Sequence, residues 1–369
     1  MSTPVLEHPA THTTGGRRVI ALIPARNEAD RIAAAIRGLD AQTRVPDEII
    51  VIANNCTDDY ATCIAARDAG AAVLNLRGIP GKKAGALNRA LDEILPDLDD
   101  HDLILIQDAD TVLTPGFVEH AAAGMRRKVG AVGGVFYGEP GGGFLGQLQR
   151  MEYQRYAWEI GRRGDRATVL TGTASLFRVR VLRQVKAARA DGLIPDGGTS
   201  SYYSLTGLTE DDEITKAVKT LGYRTVSPRE CHVTTEVMTT LPALWSQRLR
   251  WQRGALENLR AYGVTRTTAP YFGQQIMMGA GALAFGLYLV FVGLELAYAG
   301  HLGVSPFWTA VGGIFVIEKV TSVWRSGWPG RLIAAALIPE LLFDMFQHAV
   351  FFRALADLVL RREECWVAT

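Results

Sequence analysis

From Arg18 to Ile106 the chain repeats one pattern: a short apolar run, a polar turn, then a stretch with helical periodicity. Arg18-Val-Ile-Ala-Leu-Ile23 ends at Pro24, and Ala29 to Asp40 reads as a helix behind Asn27 as N-cap, with Asp30 three residues on. Glu48 to Ala53 reads as a second strand, followed by the turn Asn54-Asn-Cys-Thr-Asp58 and a helix to about Ala69. Ala72 to Leu76 precedes a Gly-Lys-Lys turn and a helix to about Leu95; Leu103 to Ile106 precedes Asp108 and Asp110. Such βα units join neighbouring strands by crossovers, so they predict an α/β fold with a mostly parallel sheet and helices on both faces. In that class ligands sit at the carboxyl ends of the strands, where these polar turns fall.

After Gly141 the pattern changes. Residues 144–163 read as an amphipathic helix in which Leu145, Leu148, Met151, Tyr156 and Ile160 alternate with arginines, suited to a membrane surface or to ordinary packing on the sheet. Residues 276–294 carry no charge and are long enough to cross a bilayer. Residues 302–317 are uncharged but shorter, and the third stretch, Leu332 to Leu360, holds Glu340, Asp344 and His348 at i, i+4, i+8 on one helical stripe. These segments account for a mean hydropathy of +0.08. A net charge of +1 argues against a polyanion-binding protein, so nucleic acid is not an expected partner. Cys56, Cys63, Cys231 and Cys365 form no CxxC pair and read as free thiols. Residues 1–17 read as a loose tail without a secretory core.

Three short motifs carry candidate chemistry. Asp108-Ala-Asp110 places two hard oxygen ligands at a strand's carboxyl end with the intervening side chain turned away, which suits Mg²⁺ or Mn²⁺ with phosphate completing the shell; the plainer account is a solvated loop. Thr209-Glu210-Asp211 opens a helix expected to reach Leu221; its acids favour the helix dipole, and one of them can serve as a general base. Gln247-Arg-Leu-Arg250-Trp251 offers an amide, a permanent cation and an indole face, as diphosphate and sugar recognition require; a basic amphipathic helix is the plainer account.

Together these motifs give the chain a family resemblance. Ile23-Pro-Ala-Arg-Asn-Glu28, Ala53-Asn-Asn-Cys-Thr-Asp58-Asp59, Lys83-Ala-Gly-Ala-Leu-Asn88, Asp108-Ala-Asp110, and Thr209-Glu-Asp211 followed by Gln247-x-x-Arg250-Trp251 occur in one order. Over roughly Val19 to Trp251 the chain resembles the membrane-associated, inverting family-2 glycosyltransferases that include cellulose, chitin and hyaluronan synthases. The resemblance implies a Rossmann-like GT-A nucleotide-sugar domain, followed by interface helices and a C-terminal membrane region. It implies that Asp108 and Asp110 bind the donor diphosphate through Mn²⁺ or Mg²⁺, that Asp211 is the base, and that Lys83 lies near the diphosphate. Pro24, Arg26, Glu28, Asn54 and Asp58 would line the nucleotide. Thr171, Gly172, Thr173, Glu210, Gln247, Arg250 and Trp251 would serve the acceptor and diphosphate. The family often has Asp where this chain has Asn54, and Thr where it has Tyr60. An Asn amide still accepts from a uracil N3–H, so a UDP-sugar is the expected donor.

The expected organisation is a tail over 1–17, a GT-A domain over 18–240 with the helix near 144–163, an interface helix over 241–270, membrane helices over 271–360 and a tail over 361–369. The expected partners are a nucleotide sugar, a glycan or lipid-linked acceptor, membrane lipid and a possible second copy of the chain. The catalytic domain is expected in the cytosol, because no signal precedes it and Arg325 and Arg331 flank the link after the second apolar segment. A re-entrant third segment, or one packing its polar stripe on another helix, keeps Arg361-Arg362 inside. A processive synthase acting as an oligomer, a nucleotidyltransferase and a non-catalytic scaffold are the competing readings.

Overall fold

A computed structural model describes residues 16–195, 200–301, 303 and 305–362; Cys365 and most of both expected tails lie outside the described residues. The repeated pattern forms β1 (Val19–Ala25), α1 (Ile32–Asp40), β2 (Glu48–Asn54), α2 (Ala61–Asp68), β3 (Ala72–Leu76), α3 (Lys82–Ile94) and β4 (Leu103–Gln107). There follow β5 (Val112–Leu113), α4 (Phe117–Gly124), β6 (Val129–Gly133), β7 (Val135–Gly138), α5 (Gly143–Arg162), β8 (Ala174–Arg178) and α6 (Val179–Ala190). The chain continues through α7 (Glu210–Thr220), β9 (Arg224–Val226), β10 (His232–Thr235), α8 (Leu241–Tyr262), α9 (Ala269–Ala299), α10 (Pro306–Ser322), α11 (Gly327–Ala336) and α12 (Ile338–Val359).

Of the described residues, those up to Glu139 together with Glu159–Glu236 pack as one unit, and Pro140–Trp158 with those from Val237 onward as another. In the first unit a seven-stranded sheet runs β3-β2-β1-β4-β8-β6-β9, parallel except that β8 is antiparallel to both neighbours. Every residue of β1 and β4 is buried, as expected of strands covered on both faces. Helix α1 turns Ile32, Ala35, Ile36 and Leu39 into the same core, a helical stripe set by their spacing. A second sheet, β5-β10-β7, falls outside the sequence reading because its strands have only two to four residues.

One sequence expectation needs correction, and the third apolar stretch divides in two. Asn27 does not cap α1: it adopts φ +58°, and its amide instead exchanges hydrogen bonds with Thr57, while α1 begins at Ile32. The stretch Leu332 to Leu360 is not one helix; α11 and α12 meet at 82° around Leu337, itself at φ +57°. In the second unit, α9 is among the described residues the one helix long and apolar enough to cross a membrane unaided, and its side chains are mostly exposed. The polar stripe of α12 is paired: Lys319 of α10 reaches both Glu340 and Asp344, and Arg155 of α5 also pairs with Glu340.

Candidate active site

Sheet topology assembles the site in the first unit. Because β8 runs antiparallel to β4, with Gln107 opposite Ala174, the segment before β8 lies beside the segment after β4. Asp108 N–H donates to the Thr173 carbonyl at 3.0 Å, joining Asp108-Ala-Asp110 to Thr171-Gly-Thr173. Ala109 turns into the core, leaving the flanking carboxylates free of the sheet. Thr171 Oγ1 and Thr173 Oγ1 lie 2.9 Å apart.

Lys83 enters at the start of α3. Its Nζ donates to Asp108 Oδ1 at 2.6 Å and sits 2.8 Å from Glu210 Oε1, so one cation bridges the Asp-Ala-Asp turn and the start of α7. Gly85 makes this entry possible, because a Cβ there would collide with the Pro80 carbonyl oxygen. Asn88 then fixes the far wall, donating to the Tyr203 carbonyl and accepting from its N–H, both at 2.8 Å.

The four acids that open α7 have separate partners. Glu210 meets Lys83, Asp212 pairs with Lys216, and Glu213 meets the buried Arg189 at 2.6 Å. Asp211 has no ion pair among the described residues: Oδ2 accepts from Gly172 N–H at 3.1 Å and Oδ1 from Asp212 N–H at 2.8 Å. Burial, with Glu210 and Asp212 adding and Lys83 opposing, pushes its carboxyl up to about 7. A Cβ placed on Gly172 would lie 3.4 Å from Lys83 Nζ, 3.5 Å from Asp211 Oδ2 and 3.6 Å from Asp108 Oδ2. Three functional groups thus face one point of bare backbone.

The turns at the carboxyl ends of β1 and β2 hold the remaining nucleotide candidates. Pro24 is buried in β1 opposite Ile52, and Arg26 is exposed just beyond. Glu28 N–H donates to Thr62 Oγ1 at 2.8 Å, and Thr62 is held in turn by Asp58. Asn54 donates to the Lys82 carbonyl at 2.9 Å, while its Oδ1 is buried with no partner among the described residues. Asn27, Asn55, Asp59 and Tyr60 take positive φ in these turns, as does Lys82 in the turn after β3, backbone strain at the carboxyl ends of neighbouring parallel strands.

Among the described residues no group of three or more ligating side chains could hold a metal, so Asp108 and Asp110 fit a divalent cation only with phosphate oxygens completing its shell. Burial raises Glu28, and Asp110, Glu236 and Asp108 add to it against Arg31. Asp108 is pushed up to about 6 by burial, with Asp110 and Glu210 adding and Lys83 opposing. Carboxylates that crowd one another in this way are stabilised by a shared hard cation, which Asp108 and Asp110 would hold.

In the second unit, α8 carries the other motif. Gln247 is buried with its Oε1 accepting from Arg248 at 2.8 Å, Arg250 is half-buried without an ion pair among the described residues, and Trp251 is 36% exposed. Sequence reasoning passed over Arg248, Arg189 and Tyr203. The partners of Arg248 and Tyr203 lie about a hundred residues away in the chain, and no local spacing announces them.

The mostly parallel α/β sheet, with paired acids at its carboxyl edge and a cation-bridged carboxylate opposite, is an arrangement shared with GT-A glycosyltransferases. Residues 17–254 match the model described as "Glycosyltransferase like family 2", and the chain belongs to that family. Over 245 residues it is 26% identical to the Poly-beta-1,6-N-acetyl-D-glucosamine synthases of Staphylococcus aureus strains MSSA476 and MW2, a match covering 64% of this chain and 54% of each relative. The chain therefore spans about half the length of the curated relatives it matches. Among solved structures, the mannosyltransferase PcManGT from Pyrobaculum calidifontis, in complex with GDP-Man and Mn²⁺, shares the fold at TM-score 0.60 and 18% identity over 95% of this chain and 89% of its own.

Proposed function

We propose that this glycosyltransferase is metal-dependent and inverting, and that it works at a membrane on a nucleotide sugar, probed first as a UDP-sugar, with a glycan or lipid-linked acceptor. The observation that carries the reading is the convergence of Asp211, Lys83 and Asp108 on Gly172. In a single displacement the acceptor hydroxyl oxygen bonds to the anomeric carbon, the bond from that carbon to the diphosphate breaks, and Asp211 takes the hydroxyl proton. A carboxyl raised to about 7 is a better base at cytosolic pH than an ordinary one, and positioned proton transfer contributes ~10²–10⁴-fold. Lys83 offsets charge on the departing diphosphate, and Arg250 is assigned the same role. Mn²⁺ or Mg²⁺ on Asp108 and Asp110, when bound, supplies further neutralisation of that charge. No covalent nucleophile is required, so an α-linked donor yields a β-glycoside.

For the donor, Asn54 is assigned to accept from a uracil N3–H, with Pro24, Arg26, Glu28 and Asp58 as the other nucleotide candidates. The family resemblance assigns Thr171, Gly172, Thr173 and Glu210 to the acceptor and diphosphate, and it assigns Trp251 to stack on a sugar face with Gln247 in support. The length and apolarity of α9 support membrane action, with residues 18–240 as a cytosolic catalytic domain. A polymerising synthase, assembled from several copies, is a second reading favoured by similarity to the Staphylococcus synthases.

Membranes containing the chain, incubated with MnCl₂ and a panel of radiolabelled UDP- and GDP-sugars, test the proposal. Release of nucleoside diphosphate with label entering a glycan or lipid product is expected. Pyrophosphate release would indicate a nucleotidyltransferase, and no turnover or binding would indicate a scaffold. Product size separates single transfer from polymerisation.

A further inference from the structure

The geometry points to Arg248 as the positioning residue of Trp251, braced by Glu152 and, through it, by Gln347. Arg248 is only 4% exposed, and its guanidinium lies 4.3 Å from the centre of the Trp251 ring. Its three polar contacts reach separate groups: Nη1 donates to Gln247 Oε1 at 2.8 Å, and Nη2 to Glu152 Oε2 at 2.7 Å and to Tyr153 Oη at 3.5 Å. Gln347 of α12 donates to the other oxygen of Glu152 at 3.0 Å. One planar cation therefore joins α8 to α5 while covering one face of the indole, and α12 is tied in through Glu152. A planar guanidinium stacks on the ring while forking to several acceptors, whereas an ammonium is a point charge without a stacking plane, so Arg248→Lys retains the charge and loses the platform. The partly exposed Trp251 is left with a fixed ring plane, as alignment of a sugar hydroxyl with an anomeric carbon requires.

This inference rests on the acceptor reading of Trp251, and the experiment separates the two. In membranes supplied with MnCl₂ and radiolabelled UDP-N-acetylglucosamine or GDP-mannose, whichever supports turnover, label transferred to product is compared with free sugar released by water. Arg248→Lys and Glu152→Gln are each expected to lower the transfer-to-hydrolysis ratio on the order of tenfold at unchanged donor KM, because misplacement by an ångström has effects of up to ~10²-fold. A merely structural role would lower transfer and hydrolysis together and leave the ratio fixed. Glu152→Gln is nearly isosteric and carries the test if Arg248→Lys fails to fold. If Trp251→Ala lowers the ratio and neither brace variant does, the positioning role is wrong. If Trp251→Ala itself leaves the ratio unchanged, the acceptor reading beneath it falls.

Discussion

Asp211 and Gly172 show how single positions serve chemistry against stability. A carboxyl whose folded value is raised towards 7 binds its proton more tightly folded than unfolded, so its charge destabilises the fold above its ordinary value near ~4, with the penalty complete above about 7. Asp211→Asn is expected to raise the melting temperature at pH 8, with the gain fading as pH falls towards 4. The same substitution should cut kcat by ~10²-fold or more with donor KM unchanged. The wild-type kcat profile should climb through an apparent value near 7 as Asp211, flanked by Glu210, Asp212 and Lys83, loses its proton. A melting point unaffected by the substitution, or an activity flat from pH 5 to 8, contradicts this assignment. Gly172→Ala makes a complementary case: contacts of 3.4–3.6 Å are ordinary packing distances, so the fold should survive while the methyl occupies the meeting point of three functional groups. Calorimetry should show a melt within a degree or two of wild type, and donor turnover should fall at least ~10-fold as alignment is lost.

At the scale of elements, Gly85 behaves oppositely. A Cβ there collides with the Pro80 carbonyl oxygen, so Gly85→Ala must shift the turn that delivers Lys83. A loss of ~1–3 kcal/mol, read by denaturant titration together with weakened donor binding, is expected. Retained stability would mean that this turn yields freely. Strands β1 to β4 were legible in the sequence because runs of three to five apolar residues between turns leave few alternatives. The start of α1 was misread because Asn tolerates left-handed backbone as readily as it caps a helix, and Asn27 takes the former. The break at Leu337 did have a local sign, Pro339, which lacks an N–H and is tolerated in the first turn of a helix but not in its interior. Strands β5, β7 and β10 had none: their pairing partners are up to about a hundred residues distant. The motifs located Asp108, Lys83 and Asp211, but the Arg248 network depends on Glu152, which no spacing rule links to α8.

For the whole molecule, the fold supplies a family-2 glycosyltransferase domain and the second unit an apolar helix of 31 residues, roughly 46 Å at 1.5 Å per residue against a ~30 Å hydrocarbon core. If α9 crosses the bilayer with the catalytic unit in the cytosol, protease added outside intact cells should leave residues 18–236 uncut, and permeabilised cells should lose them. Cleavage within that unit from outside contradicts the orientation.

The central claim is displacement at the anomeric carbon by an acceptor that Asp211 deprotonates. Proton NMR of the product formed from an α-linked nucleotide sugar in the presence of MnCl₂ tests it most directly, because the coupling between the first two ring protons of a gluco-configured sugar reports the new linkage. A β-linkage in wild-type product, with no product above background from Asp211→Asn, is predicted; an α-linkage would contradict the account.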